Sequence, residues 1–132
     1  MKKIINKTAT KIVGILVLII MGFTIYQSTV VQEETQLIIG TWVCEETPDW
    51  KLEFTSNNVC FWHSTDGEIE EYTFTIEGNI APNNVEHTIL KLIRVNQPSE
   101  ILDYEINGLS DNDLYLDYLG DMSVKLIHFR RQ

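Results

Sequence analysis

Two hydropathy patterns divide the chain. From residue 12 to 31 the sequence IVGILVLIIMGFTIYQSTVV carries no charge and is mostly Ile, Leu, Val, Met and Phe. As a helix it would extend about 30 Å, the thickness of a bilayer core. From residue 37 onward the apolar positions instead come in short runs with a period of two. In 50–55, Trp50, Leu52 and Phe54 fall on one face and Lys51 and Glu53 on the other, the pattern of a half-buried strand. In 68–76, Tyr72, Phe74 and Ile76 alternate with Thr73 and Thr75.

Turn signals separate these runs. EETPD ends a first strand at 37–44, where Pro48 lacks the amide that a ladder needs. SNN leads into 59–63, and STDG, with Asp66-Gly67 suited to positive φ, leads into 68–76. EGNIAPNN precedes 85–95, and NQPS precedes 101–106. Asn107-Gly108 and Gly120-Asp121 read as hairpin turns around 114–118, and 123–130 closes the series. About eight strands at roughly 8–12-residue spacing predict an all-β fold, a short antiparallel up-and-down barrel or a sandwich. Closure into a barrel is favoured because it removes unpaired edges. A barrel of this size is just wide enough to be filled by side chains or to hold one small ligand.

The N-terminal pattern predicts an organisation of three parts: an anchor or signal segment at 1–31, a polar linker at 32–36 (QEETQ) and a barrel domain at 37–132. Lys2, Lys3, Lys7 and Lys11 all precede the apolar run. By the positive-inside rule they hold that end in the cytoplasm, so the barrel is exported. An uncleaved single-span membrane anchor is the first expectation. The run is longer than a usual signal peptide core, TIYQSTVVQEE offers no A-x-A site, and no nearby Cys could take a lipid. Cleavage, giving a secreted or periplasmic domain, is the alternative.

Composition fits one globular domain, with 44% hydrophobic and 22% charged residues. From residue 32 on there are six basic residues against all 19 acidic ones, a balance of −13. Such a domain repels phosphate backbones and anionic lipid headgroups, which argues against nucleic acid as a partner.

Candidate chemistry is sparse. His63, His87 and His128 lie in separate segments, without metal-ligand spacing. The carboxylates of DGEIEE and SDNDLYLD flank turns and read as solvated faces, and Asp111-Asn112-Asp113 lacks the Gly and terminal Glu of a calcium loop. No G-x-S-x-G elbow is present. The expectation is a non-enzyme without cofactor or metal. Cys44 and Cys60 form an even pair in an exported domain, which permits a disulfide. Geometry points the other way. If Cys44 ends the first strand and Cys60 begins the third, a strand between them separates the two by about 15 Å along the axis. A disulfide needs Cα atoms within about 7 Å. Both thiols then face inward unpaired, with the bond as the alternative.

Gly40-Thr41-Trp42 at the opening of the first strand, in an exported meander ending in Arg130-Arg131, resembles the lipocalin-like proteins, and among them the short domains of bacterial exported or membrane-attached proteins. The resemblance implies that Gly40 lets the backbone bend into the barrel and Trp42 closes one end. It also implies that an arginine from the last strand, Arg130 or Arg131, packs over the indole. The alternation of VKLIHFRR does not choose between them. The resemblance further implies binding of a small hydrophobic molecule, for which Trp50, Trp62, Tyr72 and Phe74 are the candidate cavity walls. The alternative is a barrel filled by those same residues, serving as a structural or interaction module for another envelope protein.

Overall fold

The computed structural model describes residues 15–22, 31–80, 82–83, 85–120 and 125–132. The chain forms two compact units, Met1–Val30 and Val31–Gln132. In the first, residues 15–22 are helical and expose apolar side chains. Among the described residues no helix is long and apolar enough to cross a membrane. The rest of the expected anchor, at 1–14 and 23–30, lies outside the described residues.

The second unit is a closed, all-antiparallel barrel of eight strands in sequence order. They are β1 (Gly40–Cys44), β2 (Lys51–Phe54), β3 (Val59–His63), β4 (Ile69–Ile80), β5 (Glu86–Arg94), β6 (Ile101–Leu109), β7 (Asp113–Tyr118) and β8 (Leu126–Arg131). Closure joins β1 to β8, with Trp42 opposite Arg131 and Cys44 opposite Phe129. The strands bury alternate residues, as the period of two requires, except in β7, where Asp117 is buried beside Leu116. Leu52 and Phe54 point inward from β2, Tyr72, Phe74 and Ile76 from β4, Leu90 and Leu92 from β5, and Leu114 and Leu116 from β7.

The expected linker and the start of the first strand are corrected. Residues 31–37 form a short helix, a turn follows at Ile38, and β1 begins only at Gly40. Glu and Gln are good helix formers, and Val31, Thr35 and Ile38 share one helical face at spacings of four and three. Thr35 Oγ1 donates to Val31 O (2.7 Å), the Ile38 amide to Glu34 O (2.9 Å), and Ile38 is fully buried. This segment lies across the end of the barrel where β1 starts, called here the closed end. The opposite end, carrying the 45–50 connection, the β3–β4 turn and the β5–β6 connection, is the open end.

The turn expected at Asn107-Gly108 is a second correction. Strand β6 continues to Leu109 and shifts register between Ile106 and Gly108, the signature of a β-bulge. The bulge lets the Tyr115 ring lie over Gly108, where a Cβ would stand 3.2 Å from the ring. The chain reverses instead at 110–112, where Ser110 Oγ accepts the amides of Asn112 and Asp113. The Asp66-Gly67 turn forms as expected: Gly67 has φ +88°, and Asp66 accepts the Ser64 hydroxyl and the Glu68 amide.

Candidate functional site

Both ends of the barrel carry tryptophan and arginine, and the partners of these residues differ from one end to the other. At the closed end Trp42 is fully buried and its Nε1–H donates to Ile38 O (2.7 Å). The Arg131 guanidinium lies 4.2 Å from the centre of the Trp42 ring, a cation–π arrangement. Its nitrogens donate to the carbonyls of Ile39 (2.7 Å), Leu37 and Asp111. These are carbonyls of the chain entering β1 and of the β6–β7 turn, so the arginine ties three segments over the indole. Gly40 is required twice here. Its φ is +137°, and a Cβ would collide with Arg131 Nη1. Arg130 points outward to Glu45 (3.3 Å) and Asp113 (3.9 Å), which leaves Arg131 as the partner of Trp42.

The four aromatic candidates do not form one group. Phe74 lies deep in the barrel, edge-on to Phe54 with ring centres 5.0 Å apart. Trp50, Trp62 and Tyr72 gather toward the open end. The Trp62 ring centre is 5.2 Å from that of Trp50 and 6.0 Å from that of Tyr72, and Trp50 meets the edge of Phe129 at 5.1 Å. Tyr104 and Tyr118 complete the cluster, 6.3 Å from Trp62 and 5.2 Å from each other respectively. Neither tyrosine was singled out from the sequence, although the alternation of Leu102, Tyr104 and Ile106 marks Tyr104 as inward. Trp50 and Trp62 remain half-buried, and Trp50 Nε1 is buried with no hydrogen-bond acceptor among the described residues.

Charge also enters the barrel at this end. Arg94 continues the inward series of Leu90 and Leu92 and pairs with Glu70 and with Glu100 (2.9 Å). Tyr72 Oη donates to Glu70 Oε2 (2.8 Å). The hydrogen bond to Glu100 holds the Arg94 guanidinium above its ordinary value. Burial, followed by the Glu70 carboxylate, pushes the Tyr72 phenol well up. Burial likewise raises Tyr104. Beside this mouth, between the β1–β2 connection and the β3–β4 turn, an open cleft of about 400 Å³ is lined by Asp49, Lys51, His63, Asp66 and Ile69, among others. None of the four aromatic candidates lines it.

The cysteines are free and buried. Cys60 lies near the start of β3, opposite Phe54 on β2 and Tyr72 on β4, while Cys44 ends β1. Burial pushes the Cys60 thiol up to about 12. The disulfide alternative is thus not realised, because β2 stands between the two strands. The histidines are apart, each against a carboxylate: His63 with Glu53 (3.6 Å), His87 with Glu105, and His128 between Glu45 (2.5 Å) and Asp113 (2.7 Å). Among the described residues no group of three or more His, Cys, Asp or Glu is placed to hold a metal ion.

Comparison of the chain with protein-family models, with curated proteins and with solved structures gave no match.

Proposed function

We propose that the chain is an exported, membrane-tethered lipocalin-like protein whose barrel acts as an interaction module of the cell envelope, with the open end as its working face. The observation that carries this reading is the contrast in packing along the axis. From Trp42 through Phe54, Phe74 and the inward leucines, side chains fill the interior. At the open end aromatic rings are half-buried and ion pairs meet solvent. The lipocalin-like part of the reading is supported by Arg131 over Trp42. The tether is supported by the uncharged run at 12–31 behind four lysines.

Photo-crosslinking in the cells that make the protein tests the working face. A photoreactive residue at Ile101, on the open rim, should give an adduct of discrete mass, and one at Asn57, at the other end, should not. Equal labelling from both positions, or none from Ile101, defeats the reading. The tether is checked on the full chain, which should stay with membranes through a high-salt wash.

A second reading, binding of a small hydrophobic molecule, is favoured by one feature. The orphaned Trp50 Nε1 beside Trp62 offers a donor and an aromatic wall to a shallow ligand carrying an acceptor. Native mass spectrometry of the purified protein should then show a bound molecule that Trp62→Leu loses.

A further inference from the structure

The open rim combines two features that the closed end does not. Ile69, Ile101 and Leu126 are the first residues of β4, β6 and β8, and Val95 and Leu119 directly follow β5 and β7. Each alternates with an inward neighbour, so all five face outward around one end, 43–61% exposed. Among the described residues, the comparable ones at the closed end are Ile80 and Val85. Carboxylates stand among these aliphatic side chains. Glu70 and Glu100 pair with Arg94, Glu46 with Lys125 and Glu45 with Arg130. Asp49, Asp66, Glu68 and Glu71 have no ion pair among the described residues. Against those four, Lys51 sets one positive charge. Hydrogen bonds from Ser64 and from the Glu68 amide hold the Asp66 carboxyl below its ordinary value, so it stays ionised. The 400 Å³ cleft opens in the middle of this group, bordered by Asp49, Asp66 and Ile69.

An apolar rim framed by uncompensated carboxylates selects its occupant by charge. A second copy of the barrel brings another balance of −13 and is repelled, as is an anionic lipid surface. We infer that the open end docks a basic, apolar polypeptide segment, with aliphatic side chains on the rim, lysine or arginine against Asp49, Asp66 and Glu68, and one side chain in the cleft. This rests on the open end being the working face, and it adds the chemistry of the partner. Burial of rim area supplies the attraction, and the opposite charges set register and speed of encounter.

The barrel unit 31–132 suits the experiment because its closed sheet and, among the described residues, the buried core lie within it. Three peptides serve as probes: an amphipathic lysine–leucine helix, its glutamate–leucine counterpart, and a lysine–serine peptide of equal charge without apolar residues. Binding is read by tryptophan fluorescence and by amide chemical shifts. The lysine–leucine peptide should bind saturably, shifting amides at 45–50, 64–69 and 95–101, and weaken several-fold as salt is raised. Asp49→Asn with Glu68→Gln should weaken it by about ten-fold, whereas Glu33→Gln with Glu86→Gln, the same charge change at the closed end, should change it less than about two-fold. Ile69→Ser with Ile101→Ser should weaken it comparably while leaving the circular dichroism spectrum unchanged.

Equal losses from the two charge pairs, or equal binding of the lysine–serine peptide, would reduce the effect to general attraction and overturn the proposal. If the glutamate–leucine peptide shifts the same open-end amides as strongly, the partner chemistry is wrong and the working face stands. If no peptide shifts open-end amides and crosslinking from Ile101 also fails, the working face itself falls.

Discussion

The two ends of this barrel use the same residue types to opposite ends. At the closed end the tryptophan is fully buried, its N–H is satisfied by Ile38 O, and the arginine spends its donors on backbone carbonyls. At the open end the tryptophans are half-buried, one N–H lacks an acceptor, and the arginine faces carboxylates that also meet water. A buried donor without an acceptor loses free energy, so the satisfied indole and guanidinium mark an end built for stability. On the proposed reading, the leftover donor and half-buried rings belong to an end whose partners lie outside the chain. This contrast makes the molecule's polarity testable by mutation.

The largest expected effect is at Trp42. Trp42→Ala should cost about 3–5 kcal/mol, as truncation of a fully buried large aromatic does. Trp62→Ala, at a half-buried position, should cost about 1–2 kcal/mol. Urea unfolding of both variants measures the gap, and equal losses would erase the distinction between the ends.

Next comes the arginine that seals the closed end. Arg131→Ala removes the cation over the indole and strands three carbonyl partners, so it should cost about 2–3 kcal/mol. Arg130→Ala should cost less than about 0.5 kcal/mol, as exposed pairs do. A double-mutant cycle should couple Trp42 to Arg131 and not to Arg130. Gly40→Ala belongs to the same unit. It should be destabilising by about 2 kcal/mol in the parent through positive φ and the collision with Arg131. It should cost less when Arg131 is already Ala, since only the backbone strain remains.

How far the sequence reveals these ends differs for physical reasons. The strands are legible because Trp50, Leu52 and Phe54, or Tyr72, Phe74 and Ile76, repeat at the period of a sheet. Gly40 and Trp42 are legible because few positions call for a glycine and an indole so close together. The choice of Arg131 is not legible, because Leu126 is apolar yet outward and hides the phase that puts Ile127, Phe129 and Arg131 inside. The helix at 31–37 escapes because two turns of Glu and Gln read equally well as linker. Asn107-Gly108 reads as a turn because the signal for positive φ is local, whereas Gly108 answers to Tyr115 across the sheet. The inward Arg94, Glu70 and Glu100 are hidden for another reason. Charges beside turns normally face solvent, and only the register of β4 with β5 together with the β5–β6 connection brings them together.

A smaller effect separates the two arginines themselves. Arg94→Ala should lower the urea midpoint far less than Arg131→Ala, because its carboxylate partners remain hydrated when it is gone. The loss should shrink further in high salt, which screens exposed pairs, while the loss at Arg131 should persist because stacking and backbone hydrogen bonds are not screened. If salt erased the Arg131 effect instead, the closed end would be held by long-range charge and not by contact.

The smallest effect concerns Glu34, in the helix that covers the closed end. Its Oε2 is buried without a hydrogen-bond partner, and burial pushes its carboxyl above the ordinary value, opposed by a hydrogen bond from Thr88. An acid whose folded value is raised binds its proton more tightly in the folded state. Its contribution to stability is therefore full below the unfolded value and is lost as pH rises through the raised folded value. At neutral pH the charge opposes folding, so Glu34→Gln, which keeps the shape and an acceptor for Thr88, should stabilise the barrel by about 0.5 kcal/mol. The gain should close as pH falls below about 4, where the parent is also neutral. At the open end the same change has the opposite sign: Glu70→Gln leaves Arg94 with one carboxylate fewer and should lower the midpoint at neutral pH. Paired urea titrations of the two variants at about pH 7.5 and about pH 4 measure this. If Glu34→Gln were destabilising at the higher pH, the carboxylate would be held in its charged form, and the closed end would share the electrostatic character of the open one.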